Sequence, residues 1–373
     1  MSPTIEIRPV RDRRDLRRFI RLPWSIYRDN DCWVPPLLSE RRRFLDRSRN
    51  PFFRHSEAEL FLAERDGEVV GRIAAALYRR HLDTYHDATG FFGFFESIDD
   101  RAVSTALLDA AADWLRGRGL RRMRGPASFT INDECGLLLD AFEEPPIVLM
   151  AYNPPYYQAL LEGWGLVKAQ DLLVYRISVP TAVPERLKWA ADTLERRTGI
   201  VLRRVDLGRF EEEVNRLHKV HSAAWADNWG AVPLTREEVG EIARDLRPVV
   251  DPDFVWFAEK DGEPVGVCVT IPDLNRALKP LNGRLFPFGA LRFLWEKRRI
   301  RVVRVLIMGV LQPYRQLGVD AAMYARTMET GIRKGYEWGE MSWILESNLP
   351  MRRVLERLGA VVYKTYRMYD RDV

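Results

Sequence analysis

Cysteine is scarce in this chain of 373 residues: Cys32, Cys135 and Cys268 stand far apart, in neither metal-ligand nor paired-disulfide spacing. They read as reduced thiols of a cytoplasmic protein, with no metal expected. Long apolar runs are lacking too. None approaches the ~20 residues of a membrane span, and the amino terminus, MSPTIEIRPVRDRRDLRR, is too charged for a signal peptide, so the protein is not expected to be integral to a membrane. Neither charge sign dominates: 58 Lys and Arg face 53 Asp and Glu, a net charge of +5. The arginines fall in helical stretches that also carry acids, RDRRDLRRFIR and ERLKWAADTLERR, which suits solvated faces and not a nucleic-acid surface. Low-complexity segments are absent, and 46% hydrophobic residues suffice for two packed cores.

What the chain has is a repeat. Residues 61–73 read FLAERDGEVVGRI and residues 256–268 read WFAEKDGEPVGVC, so Asp66-Gly67 and Asp261-Gly262, and Gly71 and Gly266, stand 195 positions apart. Asn153 and Asn348, each opening a later helical stretch, keep that spacing. Apolar alternation on both sides of an Asp-Gly pair predicts a β-hairpin in each block. A spacing shared from hairpin to helix argues for duplication, with domains at 1–178 and 179–373 and a linker at Ser178–Glu185, where two prolines interrupt the pattern.

The copies differ after the hairpin. In the second, Val302–Val310 (VVRVLIMGV) reads as a strand, LQPYRQLGVD as a turn containing Gly318, and AAMYARTMETGIRKG as a helix. Free N–H groups at such a helix start form an anion site, where Gly318 admits a phosphate and Arg315 adds positive charge. In the first copy the strand is Gly90–Glu96 and the helix start reads SIDDRA. With Gly119 matched to Gly335, Gly318 falls on Ala102 and Arg315 on Asp99. Two carboxylates and no glycine make a good helix cap and a poor phosphate site.

The order of first strand (IEIRPV; IVLRRV), helical segment, Asp-Gly hairpin, strand, Arg-x-x-Gly turn, helix, strand and Asn-led helix resembles the GNAT superfamily of acyl-CoA N-acyltransferases, twice over and across nearly the whole chain. The resemblance implies an α/β fold of two tandem GNAT-like domains, each a mixed, mostly antiparallel central sheet flanked by helices. It implies acyl-CoA as co-substrate, its pyrophosphate cradled by Arg315-Gln316-Leu317-Gly318-Val319-Asp320, which matches the family's Gln/Arg-x-x-Gly-x-Gly/Ala turn except at Asp320. It implies that the strand before the turn splays from its neighbour, so that the N–H groups around Met308, Gly309 and Val310 hold the thioester carbonyl, with Asn348 also at the donor site. The family's general-acid tyrosine falls on Leu355, which leaves Tyr314, Tyr324 and Tyr363 as candidates. More closely, the segments YNPPYY, AWxxNWG, MGVLQPYRQLGVDAAMY and EMSWILESN resemble bacterial tandem acyltransferases, a group to which bacterial ceramide synthases are similar. That implies a long-chain acyl-CoA donor and a sphingoid-type lipid amine as acceptor. The alternatives are an acetyltransferase for a soluble amine and a coenzyme A-binding regulatory module.

N-acylation requires the amine to lose a proton. Alternation along Trp338–Glu346 puts Glu340, Ser342, Ile344 and Glu346 on one face, with Glu346 the first candidate for base and Glu340 the second. A hydrogen-bonded carboxylate orienting a loop is the competing reading of both. For the acceptor, the candidates are Trp225, Asn228 and Trp229 in AWADNWG, Asn132 and Glu134 in NDECG, and Tyr157 in NPPYY, each against an ordinary role in packing or a turn. Finally, residues 279–304 (KPLNGRLFPFGALRFLWEKRRIRVVR) interrupt the second copy, the spacing of the matched glycines exceeding that of the hairpins by 21. Phe286, Phe288, Phe293 and Trp295 beside Lys297, Arg298, Arg299 and Arg301 fit either peripheral contact with an anionic membrane or a buried inter-domain arm.

Overall fold

The computed structural model describes residues 4–226 and 228–373, so Asp227 of the AWADNWG segment lies outside the described residues. The described residues form thirteen strands: β1 (Ile5–Pro9), β2 (Glu57–Arg65), β3 (Glu68–Leu77), β4 (Thr89–Ser97), β5 (Arg122–Gly125), β6 (Leu137–Leu138), β7 (Val167–Ser178), β8 (Ile200–Arg204), β9 (Val255–Lys260), β10 (Glu263–Pro272), β11 (Val302–Val310), β12 (Trp338–Leu345) and β13 (Val361–Asp372). Both expected hairpins form, β2–β3 and β9–β10. Their turns have both central residues at positive φ, Asp66 at 52° and Gly67 at 82°, Asp261 at 53° and Gly262 at 83°. An Asp-Gly pair tolerates that conformation, whose twist matches the flanking strands.

One mixed sheet runs through the molecule in the order β1-β2-β3-β4-β5-β13-β7-β12-β11-β10-β9-β8, with β6 paired to β13. Among the described residues only β4–β5 and β11–β12 are parallel. The order is a palindrome of the two copies, and its centre is exchanged. β7, which follows the first copy's helix Tyr157–Gly163, pairs with β12 of the second copy. β13, which follows the second copy's helix Leu349–Arg357, pairs with β5 of the first. The two long strands also pair with each other. Arg124 of β5 holds Asp370 of β13 through two bonds of 2.7 Å, a charge-assisted fork across that seam.

The boundary at 178/179 therefore coincides with the end of β7, yet each copy's sheet is completed by the other's last strand. The apolar cores follow suit. One packs the helix Arg101–Arg116 on the first copy through Leu107, Leu108 and Ala111, and one packs the helix Val319–Lys334 on the second through Ala322, Met323 and Ala325. The largest is shared, running from Phe94 and Phe129 to Phe257 and Val269 on the sheet's other face. Among the described residues no helix is long and apolar enough to cross a membrane.

The 279–304 segment splits into two parts of different character. Its beginning is an inter-domain arm: Leu38 N–H donates to the Gly283 carbonyl at 3.0 Å, Trp24 Nε1 donates to Asn282 at 2.7 Å, and Lys279 reaches the Asp31 carbonyl. Its middle, including the helix Gly289–Lys297, stands in solvent, with Phe286 87% and Phe288 76% exposed and Leu291, Leu294 and Trp295 exposed as well.

Candidate active site

The parallel strands β11 and β12 pair only from Val302–Val305 to Trp338–Met341 and then part. Beyond that point β12 stays with β7, through Ile344 and Leu345, while β11 stays with β10. Leu306 is the extra residue of a bulge, because Val269 faces Ile307 and Thr270 faces Val305. A bulge re-aims the strand, and here it falls at the mouth of the fork. Val305–Met308 are half-buried, from the last residue that pairs with β12 onward.

The first copy forks in the same way and is closed. β4 pairs with β5 only at Thr89–Phe91, but all nine of its residues are buried. The chain after β5 turns into the gap, where the Ala127 N–H donates to the Phe92 carbonyl at 2.7 Å. A Cβ on Gly93 would collide with the Ala127 carbonyl. Phe129, a few residues on, stacks between Phe44 and Phe52. The gap is thus filled by the chain's own Ala127 and the residues after it.

The helix starts differ as expected. Gly318 caps Val319–Lys334 at φ 87° with no side-chain cap, and a Cβ there would touch nothing within 4 Å. Gln316 is also left-handed, at φ 69°. The first-turn N–H groups thus face outward without a carboxylate competitor from the cap. Arg315 folds back, donating to the Val310 carbonyl at 3.1 Å and the Ala224 carbonyl at 3.2 Å. The helix Arg101–Arg116 ends as Val319–Lys334 does when Gly119 is matched to Gly335: both glycines are left-handed, at φ 77° and 71°, and the Leu120 N–H returns to the Leu115 carbonyl as the Tyr336 N–H returns to Gly331, so Gly318 falls opposite Ala102 and the first copy's helix begins two residues earlier. Asp100 caps its helix by accepting from the Ala102 N–H at 2.8 Å and is bridged by Arg65.

The two candidate carboxylates have separate surroundings. Glu340, in register with Arg304 one step before the strands part, accepts from Ser342 Oγ at 2.6 Å and from the Tyr363 hydroxyl. Arg304 beneath it is buried and donates to the Val148 carbonyl at 2.6 Å and the Ser342 carbonyl at 3.3 Å. Lys364, also buried, donates to the carbonyls of Glu144 and Pro145; burial holds its amine below the usual lysine range. Burial and the Glu340 charge push the Tyr363 hydroxyl well up. Glu346 instead accepts from Lys168 Nζ at 2.7 Å and the Asp171 N–H at 3.0 Å, tying the end of β12 to β7. Both its oxygens are engaged on the side away from β11.

Tyr314 leans toward Lys260 of β9, two strands from the fork, and Tyr324 is buried against Met351 Sδ on the opposite face. Asn348 accepts from the Met351 N–H at 3.3 Å as cap of its helix. Of the three tyrosines only Tyr363 reaches a candidate base. That pairing was hidden in the sequence, because Glu340 and Tyr363 lie on different strands and nothing local marks the contact.

Trp225 ends the helix Phe210–Ala224 and covers β11: a Cβ on Gly309 would collide with its ring. Its other face stacks on His221 at 4.7 Å. Desolvation lowers the His221 pKa to about 4, and its Nδ1 is buried without a partner among the described residues. Trp229 sits 4.7 Å from the Arg124 guanidinium, and Asn228 is half-buried beside it. Asn132 donates to the Val232 carbonyl at 3.2 Å and lines a polar cavity of about 440 Å³ between the copies, with Glu40, Asp133, Tyr78, Glu238 and Glu241. Desolvation pushes the Asp133 carboxyl up to about 7. Glu134 is paired with Arg41. Tyr157 is corrected: it is buried in the first copy, donating to Glu96 at 2.7 Å and accepting from the Ser97 N–H at 2.9 Å, so it fastens the end of β4. Among the described residues no group of His, Cys, Asp or Glu could hold a metal.

Residues 17–126 match the acetyltransferase (GNAT) family. Over 378 aligned residues the chain is 38% identical to the bacterial ceramide synthase of Caulobacter vibrioides, covering 98% of this chain and 97% of that protein. It is 35% identical to protein YghO of Escherichia coli, covering 98% and 95%. A tandem GNAT protein from the clavulanic acid biosynthesis pathway superimposes over 99% of this chain and 98% of its own with a TM-score of 0.58 at 12% identity, a likeness of fold.

Proposed function

From the premise that the chain belongs to the GNAT family, in its tandem form, and is an N-acyltransferase, we propose that the second copy binds the acyl-CoA donor and the first shapes the acceptor side. The observation that carries this is the contrast of forks: β11–β12 is open beside an uncapped Gly318 helix start, whereas β4–β5 is filled by its own chain beside a carboxylate cap. The pyrophosphate sits at the 318–321 N–H groups, and the thioester lies in the fork against the unpaired edge near Met308–Val310, where N–H groups stabilise the oxyanion. The amine attacks the carbonyl carbon, its proton passes to Glu340, the C–S bond breaks, and the thiolate takes the Tyr363 proton, which Glu340 replaces.

We extend the reading to a long-chain donor and a sphingoid-type lipid amine. Its support is the name of the 38%-identical relative, matched from end to end, and the apolar ridge at 285–295 that would meet a lipid surface. The polar walls of the 440 Å³ cavity favour a second reading, transfer to a soluble amine. The test is incubation of purified protein with acyl-CoA donors of graded length and either sphinganine or soluble amines, with products read by mass spectrometry. N-acylsphinganine as the main product is expected; turnover of soluble amines alone would remove the lipid reading. In calorimetry, Gly318→Glu should abolish coenzyme A binding and Ala102→Glu should not. Equal loss from both would overturn the placement of the donor.

A further inference from the structure

We propose that the apolar cavity between the helices Phe210–Ala224 and Arg236–Leu246 and the strands β9–β11 seats the acyl chain of the donor. The proposal rests on the donor thioester lying in the β11–β12 fork. The cavity measures about 110 Å³ and is walled by Leu217, Val239, Ala243, Leu246, Leu306 and Ile307, among other aliphatic and aromatic side chains. Leu306 and Ile307 carry the argument, because they line this cavity and are also the bulge of the open fork. A chain attached to a thioester held at the bulge has the cavity directly behind it.

The chemistry of the walls selects the occupant. Of the polar residues that reach the lining, Glu213 is neutralised by Arg203 at 3.0 Å and Arg247 donates to the Leu207 carbonyl at 3.2 Å. His221 stands with its ring against Trp225 at the same wall as the fork. A charged headgroup or a peptide would lose its water there with almost nothing to bond to, at a cost of several kcal/mol per polar group. An alkyl chain has no polar group to desolvate. As to size, an apolar cavity of ~150 Å³ takes one benzene, so this one holds the end of a chain a few carbons long. A longer chain has a way out along Ile242, which is 42% exposed and also borders the polar cavity.

Calorimetry without any acceptor isolates the donor: coenzyme A, acetyl-, butyryl-, octanoyl- and lauroyl-CoA, each below its micelle concentration. Affinity should rise about fourfold per methylene until the cavity is filled, the value that ~0.8 kcal/mol per buried methylene implies. Ala243→Trp, from a half-buried position on the outer helix, should fill the space. It should erase the gain with length and leave the affinity for coenzyme A as it was, which also reports an intact fold. Ile242→Ala, at the rim, should shift the optimum to longer donors. Equal affinity at all lengths in the wild type, with coenzyme A still bound through Gly318, would overturn the cavity and spare the donor site. Failure of coenzyme A to bind would overturn both. An Ala243→Trp enzyme whose donor affinities are unchanged, but whose preference among acceptor amines shifts, would assign the cavity to the acceptor and overturn the proposal.

Discussion

A simple alternation puts Glu340 and Glu346 on one face of one strand, yet β12 ends at Leu345 with a register shift after Met341, and the two carboxylates have different partners. Glu346 bridges Lys168 and the Asp171 backbone and holds β12 to β7. Glu340 carries the hydroxyls of Ser342 and Tyr363 where the strands part. General-base catalysis contributes ~10²–10⁴-fold to turnover. Glu340→Gln should therefore lower kcat by at least two orders of magnitude, with donor affinity nearly unchanged. Tyr363→Phe should lower kcat less, because water can supply the thiolate proton. Glu346→Gln should lower thermal stability with a smaller loss of rate. Steady-state kinetics beside melting curves decide it: a greater loss of kcat from Glu346→Gln than from Glu340→Gln would move the base to the end of the strand.

Elements marked by local chemistry were legible: the Asp-Gly hairpins, the strand before the Arg-x-x-Gly turn, and the uncapped helix start at Gly318, all set by residues close in sequence. What depended on distant pairing was not. Tyr157 sits in a polar, aromatic segment of the kind that suggests a ligand, and only the buried Glu96 opposite shows it to be structural. The 279–304 segment had two readings because both parts share one composition, and the contacts of Lys279–Gly283 with the first copy separate them. The exposed part makes its own prediction. Phe286, Phe288, Leu291 and Trp295 offer apolar burial, and Arg298 and Arg299 are exposed beside them, with Arg299 over the Trp295 ring at 3.6 Å. Each base near an anionic surface adds ~1 kcal/mol. Vesicles containing anionic lipid should cosediment the protein, and binding should weaken between 0.1 M and 1 M salt as the Debye length falls from ~10 Å to ~3 Å. Glutamine at Lys297, Arg298, Arg299 and Arg301 together should prevent it. Binding indifferent to both salt and those four residues would leave the ridge without a membrane role.

At the scale of the whole molecule, the duplication is visible in the sequence and the exchange of its last strands is not. β7 and β13 both alternate, both follow short helices, and either register would bury an apolar face, so local pattern cannot say which copy each strand completes. The structure sends each to the other copy and places them side by side at the centre. This has a consequence for stability. A fragment of residues 1–178 would keep β7 but lose β12 and β13, leaving β5 and both sides of β7 bare; a fragment of 179–373 would lose β7 from between β12 and β13. Unpaired central edges are templates for aggregation, and the shared apolar core would be cut in two. The full chain should therefore melt in one calorimetric transition, with equal calorimetric and van't Hoff enthalpies. Each fragment alone should be insoluble or unfolded, and the two co-expressed should reassemble. A soluble, cooperatively melting 1–178 fragment, or two separate transitions in the intact chain, would mean that the copies fold as independent domains and that the exchange contributes little.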